Sequence, residues 1–142
     1  MVIFNLDAYE LDDDPGRIDA DAVWQFLSTE AYWGRSRGRA DFEAQLASAW
    51  RVVGAYETAT GRQVGFARAF SDGVAAAYLS DVYILPDARG GGLGKDLVAT
   101  MIDRGPGAGF RWGLHTSDAH ELYRKYGFTE PDSRYMERHG RQ

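Results

Sequence analysis

The chain contains no cysteine. That excludes disulfide frameworks, thiolate metal sites and cysteine nucleophiles. Its three histidines, His115, His120 and His139, are not spaced as a metal-ligating set. No apolar run approaches the ~20 residues needed to span a bilayer. The opening MVIFNLDAYELDDD lacks the basic lead, long apolar stretch and cleavage site of a secretory signal. These absences set the expectation of a cytoplasmic protein without a metal or a membrane partner. Basic charge is also scarce: 16 Lys and Arg stand against 21 Asp and Glu, a net charge of −5. Residues 1–21 hold seven acidic side chains and one arginine, so the surplus is local and the remainder sums to +1. Only Arg35, Arg37 and Arg39 cluster, too few for the basic stripe that a nucleic-acid partner requires. A small anionic ligand stays open, because a few placed donors suffice for one.

What is present fits one domain over residues 1–142, with 44% hydrophobic residues to build a core. Val2–Leu11 reads as a strand, followed by an acidic turn at Asp12–Asp14, which is either solvated or an attractor of a cationic amine. Asp19 is placed to cap a helix over Ala20–Leu27 whose apolar face is Val23, Phe26 and Leu27. Ser28–Gly38 reads as an irregular loop. Ala40–Trp50 reads as a second helix, with Phe42, Leu46 and Trp50 at four-residue spacing. The period then changes. Arg51–Thr58 and Gln63–Ser71 flank Thr60-Gly61 as a hairpin, and Asp72-Gly73 turns into a long strand over Ala75–Leu85. Pro86 ends it. Gly92–Arg104 reads as a helix, Arg111–Thr116 as a strand, and Ala119–Tyr126 as a helix capped by Asp118 and stopped by Gly127. A short last strand is expected over Tyr135–Arg138. This order predicts an α+β fold, an α/β sandwich: a mixed, mostly antiparallel central sheet with helices on both faces. It argues against a doubly wound parallel sheet.

The strongest local signal is Arg89-Gly90-Gly91-Gly92-Leu93-Gly94-Lys95, which follows a strand and opens a helix. Main-chain N–H groups at a helix start lack partners and carry partial positive charge. Glycines let phosphate oxygens approach that backbone, and Arg89 and Lys95 add charge on either side. The loop therefore predicts a phosphate or pyrophosphate site; its alternative is a glycine-rich structural turn. It is not the nucleoside-triphosphate loop, because position 89 is arginine and position 96 is aspartate. It also fails the dinucleotide fingerprint, in glycine spacing and in strand order.

Arg89-x-x-Gly92-x-Gly94 resembles the pyrophosphate loop of the GNAT acetyltransferases. Val82-Tyr83-Ile84 ending a strand, Pro86, and Leu122-Tyr123-Arg124-Lys125-Tyr126-Gly127-Phe128 resemble the family's elements in the same order. Trp33 with Arg35, Val64–Arg68, Asp81-Val82-Tyr83 and Asp118-Ala119-His120 are similar to a group of short bacterial members of unassigned substrate. The resemblance implies a GNAT-like fold and acetyl transfer from acetyl-CoA, the cosubstrate, to a primary amine by direct attack. The acceptor would be a small molecule or a protein amine. It implies that Val82, Tyr83, Ile84, Arg89, Gly90, Gly91, Gly92, Leu93, Gly94 and Lys95 bind the coenzyme, with the N–H of Ile84 or Tyr83 facing the thioester oxygen. Tyr123 stands where the family places its general acid, also in contact with the coenzyme; its alternative is a core aromatic beside Leu122, Tyr126 and Phe128. A phenol, with an ordinary pKa of ~10, holds a proton for the departing thiolate.

The amine needs a base. Asp81, a charged residue within an apolar strand, is the first candidate; its alternative is an exposed carboxylate or one paired with Arg68. Tyr78, His115 and His120 are weaker candidates. Thr116 falls where many members carry an asparagine that bonds the pantetheine arm, and its hydroxyl is a substitute. Tyr32, Trp33 and Arg35 fall near the acceptor side of such a fold, to stack on the substrate and hold a carboxylate; their alternative is core packing and a surface charge. The 14 residues after Phe128 are few for two closing strands. The cleft is then open on one side, or completed by a second copy in a homodimer. The alternative functions are a non-catalytic acyl-CoA-binding sensor and a transferase of a longer acyl group.

Overall fold

The computed structural model describes residues 1–31 and 37–140. Tyr32, Trp33 and Arg35, the expected acceptor residues, lie outside the described residues. The strands are β1 (Val2–Leu6), β2 (Tyr9–Asp12), β3 (Arg51–Glu57), β4 (Gln63–Ser71), β5 (Ala76–Ile84) and β6 (Arg111–Gly113). The helices are α1 (Ala20–Thr29), α2 (Arg39–Ala47), α3 (Leu93–Ile102) and α4 (His120–Arg124). The strands form one sheet in sequence order, antiparallel from β1 to β5, with β5 and β6 parallel. The α+β architecture is as the pattern predicts.

Alternation along the strands sends side chains to two faces. On one face Val52, Phe66 and Tyr83 pack with Val23, Phe26 and Leu27 of α1 and Phe42 of α2. Tyr83 stacks on Phe26 with ring centroids 3.9 Å apart. On the other face Val53, Ala55, Ala67 and Ala69 pack with Leu93, Leu97, Val98 and Met101 of α3, and Tyr123 of α4 joins them. The C-terminus of α3 is closed from beneath by Arg51. Its buried guanidinium donates to the carbonyls of Thr100 and Met101 at 2.8 Å each and to that of Arg104 at 3.3 Å. A cation at a helix C-terminus meets both the unpaired carbonyls and the dipole.

Several boundaries differ from the sequence expectation. The first strand is a hairpin, not a single run, because Asp7 turns the chain at φ 48°. The acidic turn is spent internally: Asp12 accepts from Arg17 at 3.0 Å, and Asp13 pairs with Arg51 at 3.2 Å. Asp19 caps α1 as expected, accepting from the N–H of Ala22. The second helix stops at Ala47, and Trp50 instead donates its main-chain N–H to the carbonyl of Ala69 and packs at a tilt against Phe110 and Trp112. β6 is three residues long. Asp118 is exposed and does not cap α4, whose N-cap Ala119 has no side-chain cap; the Thr116 hydroxyl accepts from the N–H of Ala119 at 3.0 Å, just ahead of the helix. No strand forms over residues 135–138.

Candidate active site

β5 and β6 are paired only from Ala76–Tyr78 against Arg111–Gly113. Beyond that point they diverge, and the gap opens into a cavity of about 400 Å³. Its walls come from β5 (Tyr78 to Val82), from Leu114–Thr116 after β6, from Arg37 and Gln45 on the α2 side, and from Tyr123 of α4.

The split has a local cause in β5. Arg68 is opposite Ser80 and Phe66 is opposite Tyr83, so Asp81 and Val82 together face Ala67, a β-bulge. Asp81 takes φ 57°, a left-handed conformation that a non-glycine residue adopts at a cost of roughly 1–3 kcal/mol. Its buried carboxylate holds it there. Arg37 donates to both oxygens at 3.0 and 2.9 Å, and Arg68 donates through Nε at 2.9 Å. Arg68 also reaches Ser80, and Arg37 reaches Gln45 at 2.6 Å. Asp81 is therefore the paired carboxylate that the sequence left as its alternative. Three donors already occupy the lone pairs that a base would turn toward an ammonium.

After the bulge the register decides which backbone groups face the gap. Leu85 donates its N–H to Val64. In an antiparallel ladder, hydrogen-bonded pairs alternate with pairs that point away from each other. Gly65 and Ile84, the next pair, are of the second kind, so the N–H and C=O of Ile84 turn to the open edge. The carbonyl accepts from Arg89 Nε at 2.8 Å. Arg89 thus ties the end of β5 to the glycine loop. Tyr83 belongs to the other kind of pair and faces α1 with its ring.

The loop itself is open. Gly90 and Gly92 sit at φ 95° and 88°, which only glycine adopts without strain, and a Cβ on Gly90, Gly91 or Gly92 would meet nothing within 4 Å. No acceptor among the described residues meets the N–H groups from Gly90 to Lys95. They crown the start of α3, a ten-residue helix, with Lys95 exposed beside them. Leu93 is buried and anchors the helix in the core. An open cup of main-chain donors at a helix N-terminus suits a diphosphate.

α4 is fastened to α3 by Tyr126, whose hydroxyl donates to the carbonyl of Lys95 at 2.7 Å. This places Tyr123, buried and edge-on to Phe128 at 5.8 Å, in the cavity wall. Burial, with a smaller contribution from Asp118, pushes its phenol up to about 12. It keeps its proton at neutral pH and holds it in reserve. Thr116 lines the same wall, but its hydroxyl is engaged at the start of α4. Tyr78 and His115 lie together in the wall, hydrogen-bonded through Tyr78 Oη and His115 Nδ1. His120 is exposed at the start of α4. Arg37 and Gln45 were not anticipated. Arg37 is 44 residues from Asp81 in the chain, and no local pattern signals that pairing.

Comparison with known proteins places this fold. The acetyltransferase (GNAT) domain matches residues 48–130. A protein of Xanthomonas campestris pv. campestris assigned to the GNAT family is 35% identical, covers 93% of both chains and superposes with a TM-score of 0.83. The chain belongs to the GNAT acetyltransferases, a family of acyl-transfer enzymes. A Gibberella zeae protein named "Putative acetyltransferase FG08082" is 38% identical over 86 residues, 61% of this chain. The match spans 46% of that relative's length. A Deinococcus radiodurans R1 structure, 20% identical over 97% of this chain and 94% of that one with a TM-score of 0.70, shares the fold.

Proposed function

We propose that this chain transfers an acetyl group from acetyl-CoA to a primary amine. The observation that carries the proposal is the open donor loop at the start of α3, with the N–H of Ile84 turned to the open edge of β5 and the buried Tyr123 in the cavity wall beside it in support. In this reading the N–H groups of Gly90–Lys95 hold the coenzyme's diphosphate, and Lys95 adds charge. The coenzyme supplies a thioester when bound. The N–H of Ile84 polarises the thioester oxygen, where negative charge grows during attack. Tyr123 gives its proton to the departing sulfur. Asp81 keeps the β5 bulge in place and thereby aims Ile84; it is a positioning residue, not the base. Tyr32, Trp33 and Arg35 are retained as acceptor-side residues by resemblance.

Calorimetric titration with acetyl-CoA and CoA, followed by thiol release over an amine panel, tests this. The wild type is expected to bind acetyl-CoA and to release thiol with at least one amine. Tyr123→Phe is expected to bind acetyl-CoA as tightly and to lose roughly 100-fold or more in kcat. Binding without thiol release would make the protein an acyl-CoA sensor. Preference for a longer acyl thioester would change the donor and leave the site unchanged.

A further inference from the structure

A hydrogen-bonded chain runs from Tyr78 and His115 in the cavity wall out to the tail, and neither the proposed acetyl-CoA site nor Asp81 accounts for it. Tyr78 Oη is hydrogen-bonded to His115 Nδ1, and His115 Nε2 is 2.8 Å from Glu137 Oε2. Tyr135 donates to the same Glu137 oxygen at 3.1 Å. Glu137 lies in the segment after α4, where the sequence predicts a strand. In place of a strand, Tyr135 and Glu137, two residues apart, gather at the His115 ring.

The chemistry of these atoms fixes their polarity. An ionised carboxylate only accepts, so Nε2 of a neutral His115 carries the proton and Nδ1 is left with its lone pair. Nδ1 therefore accepts from the Tyr78 hydroxyl. The ring of Tyr78 is held in place by stacking on Phe70, with centroids 4.9 Å apart. The result is hydroxyl, imidazole and carboxylate in series. It is the arrangement by which a base activates an oxygen while a third group orients the base. Tyr78 and His115 both border the cavity that also contains Tyr123.

Resting on the reading of an amine acceptor, we infer that Tyr78, His115 and Glu137 form the relay that takes the proton from the acceptor ammonium. The N–H bond of the ammonium breaks toward Tyr78 Oη as the Tyr78 proton passes to His115 Nδ1. This leaves a neutral amine and an imidazolium facing Glu137. Tyr78 stands six residues before Ile84 on β5, so the freed amine passes along the cleft before its nitrogen bonds the acyl carbon and the bond from that carbon to sulfur breaks. Sulfur receives the proton of Tyr123, and the second proton shed by nitrogen restores that phenol through water. His115, whose side chain is 63% exposed, returns the first proton to solvent. One proton is released per turnover, and no other reactant is needed. Glu137 is a positioning residue; Tyr78 is the group that meets the amine. The other ionisable groups around the ring are Tyr135 and His139 on the tail, Arg68 and Asp81 on the sheet, Arg37 beside α2, and Asp118 before α4.

The test compares wild type, His115→Gln, Tyr78→Phe and Glu137→Gln, using acetyl-CoA and an amine the wild type acetylates, from pH 7 to 10. At pH 7, His115→Gln is expected to lose about 100-fold in kcat/KM for the amine, and Glu137→Gln about tenfold. Acetyl-CoA affinity is expected to stay within twofold. The deficits shrink as pH rises toward ~10, because an alkylamine then loses its own proton. Structural damage would leave the deficit constant with pH. His115 and Glu137 are at the surface, so these variants are expected to fold, and Tyr78→Phe keeps the ring that stacks on Phe70. Nitrogen-15 spectra of the imidazole provide a reading independent of turnover: a proton on Nε2 in the wild type, and loss of that preference in Glu137→Gln. A proton resident on Nδ1 overturns the relay, as does wild-type kcat/KM in His115→Gln or a deficit that ignores pH. If the wild type acetylates no amine, the acceptor reading fails and the relay loses its task with it. If an amine is acetylated and His115→Gln matches wild type, the relay alone is wrong.

Discussion

Gly92→Ala separates the backbone role of the glycine loop from its binding role. Gly92 sits at φ 88° and caps α3. A side chain in the left-handed region costs about 1–2 kcal/mol. Nothing lies within 4 Å of the position a Cβ would take, so no clash adds to that cost. The melting temperature is then expected to fall by roughly 3–8 °C. Coenzyme binding is expected to suffer separately. A methyl group here would project from the open loop in which the proposed diphosphate lies, and each hydrogen bond to a charged group is worth about 1.5–3 kcal/mol. Losing one weakens binding by roughly 10- to 100-fold. Gly73→Ala is the matched control. Gly73 also has positive φ, at 79°, and open space around its Cβ, but it turns the β4–β5 hairpin away from the loop. It is expected to lose similar stability and no affinity. Melting curves and calorimetric titration with CoA on both variants decide the matter. Equal affinities for Gly92→Ala and Gly73→Ala would refute the assignment of the loop as the diphosphate cup.

Asp81→Asn strands two guanidinium groups and removes the anion that holds φ 57°, so about 3–5 kcal/mol of stability is expected to be lost in denaturant titration. Activity lost from a fully stable Asp81→Asn protein would instead restore Asp81 as the base. Tyr56 is buried, and its hydroxyl has no hydrogen-bond partner among the described residues. Tyr56→Phe is expected to be neutral or to stabilise by about 1 kcal/mol, because the desolvated hydroxyl is removed and the ring under Arg17 stays. Arg51→Met leaves the carbonyls of Thr100, Met101 and Arg104 facing an apolar side chain. A loss of about 2–4 kcal/mol is expected by denaturant titration, with CoA affinity per folded molecule unchanged at the far end of α3.

The elements that the sequence makes legible are those whose signal is local. β3 and β4 are continuous buried runs, β5 alternates, and the three meet at turns that contain glycine. α3 carries a periodic apolar face directly after the glycine loop. The first hairpin was hidden because its turn is Asp7-Ala8, without glycine, and Asp7 takes its positive φ despite its Cβ. Thr116 and Asp118 are both capping residue types, and local propensity favours the aspartate. Neither caps α4: the chain leaving β6 puts the threonine hydroxyl 3.0 Å from the Ala119 N–H, ahead of the first helical residue, and leaves Asp118 exposed.

The site divides in the same way. The donor loop and Tyr123 belong to contiguous motifs, which the sequence alone displays. The role of Asp81 depends on Arg37, which lies 44 residues earlier, and that of His115 depends on Glu137, which lies 22 residues later. Neither partner follows from spacing, since each reaches the cavity only after the sheet has formed. The bulge makes this dependence physical. The backbone of β5 would relax toward an ordinary strand without the carboxylate cluster, and an ordinary register would invert the direction of Ile84's N–H. In the proposed reading, the N–H that faces the thioester oxygen is thus positioned by side chains on α2's approach and on β4. A change at Arg37 is expected to reach the thioester oxygen without touching it, lowering kcat while coenzyme affinity at the glycine loop persists. Unchanged kcat in Arg37→Met would show that β5 keeps its bulge unaided, and Asp81 would then have no part in aiming Ile84.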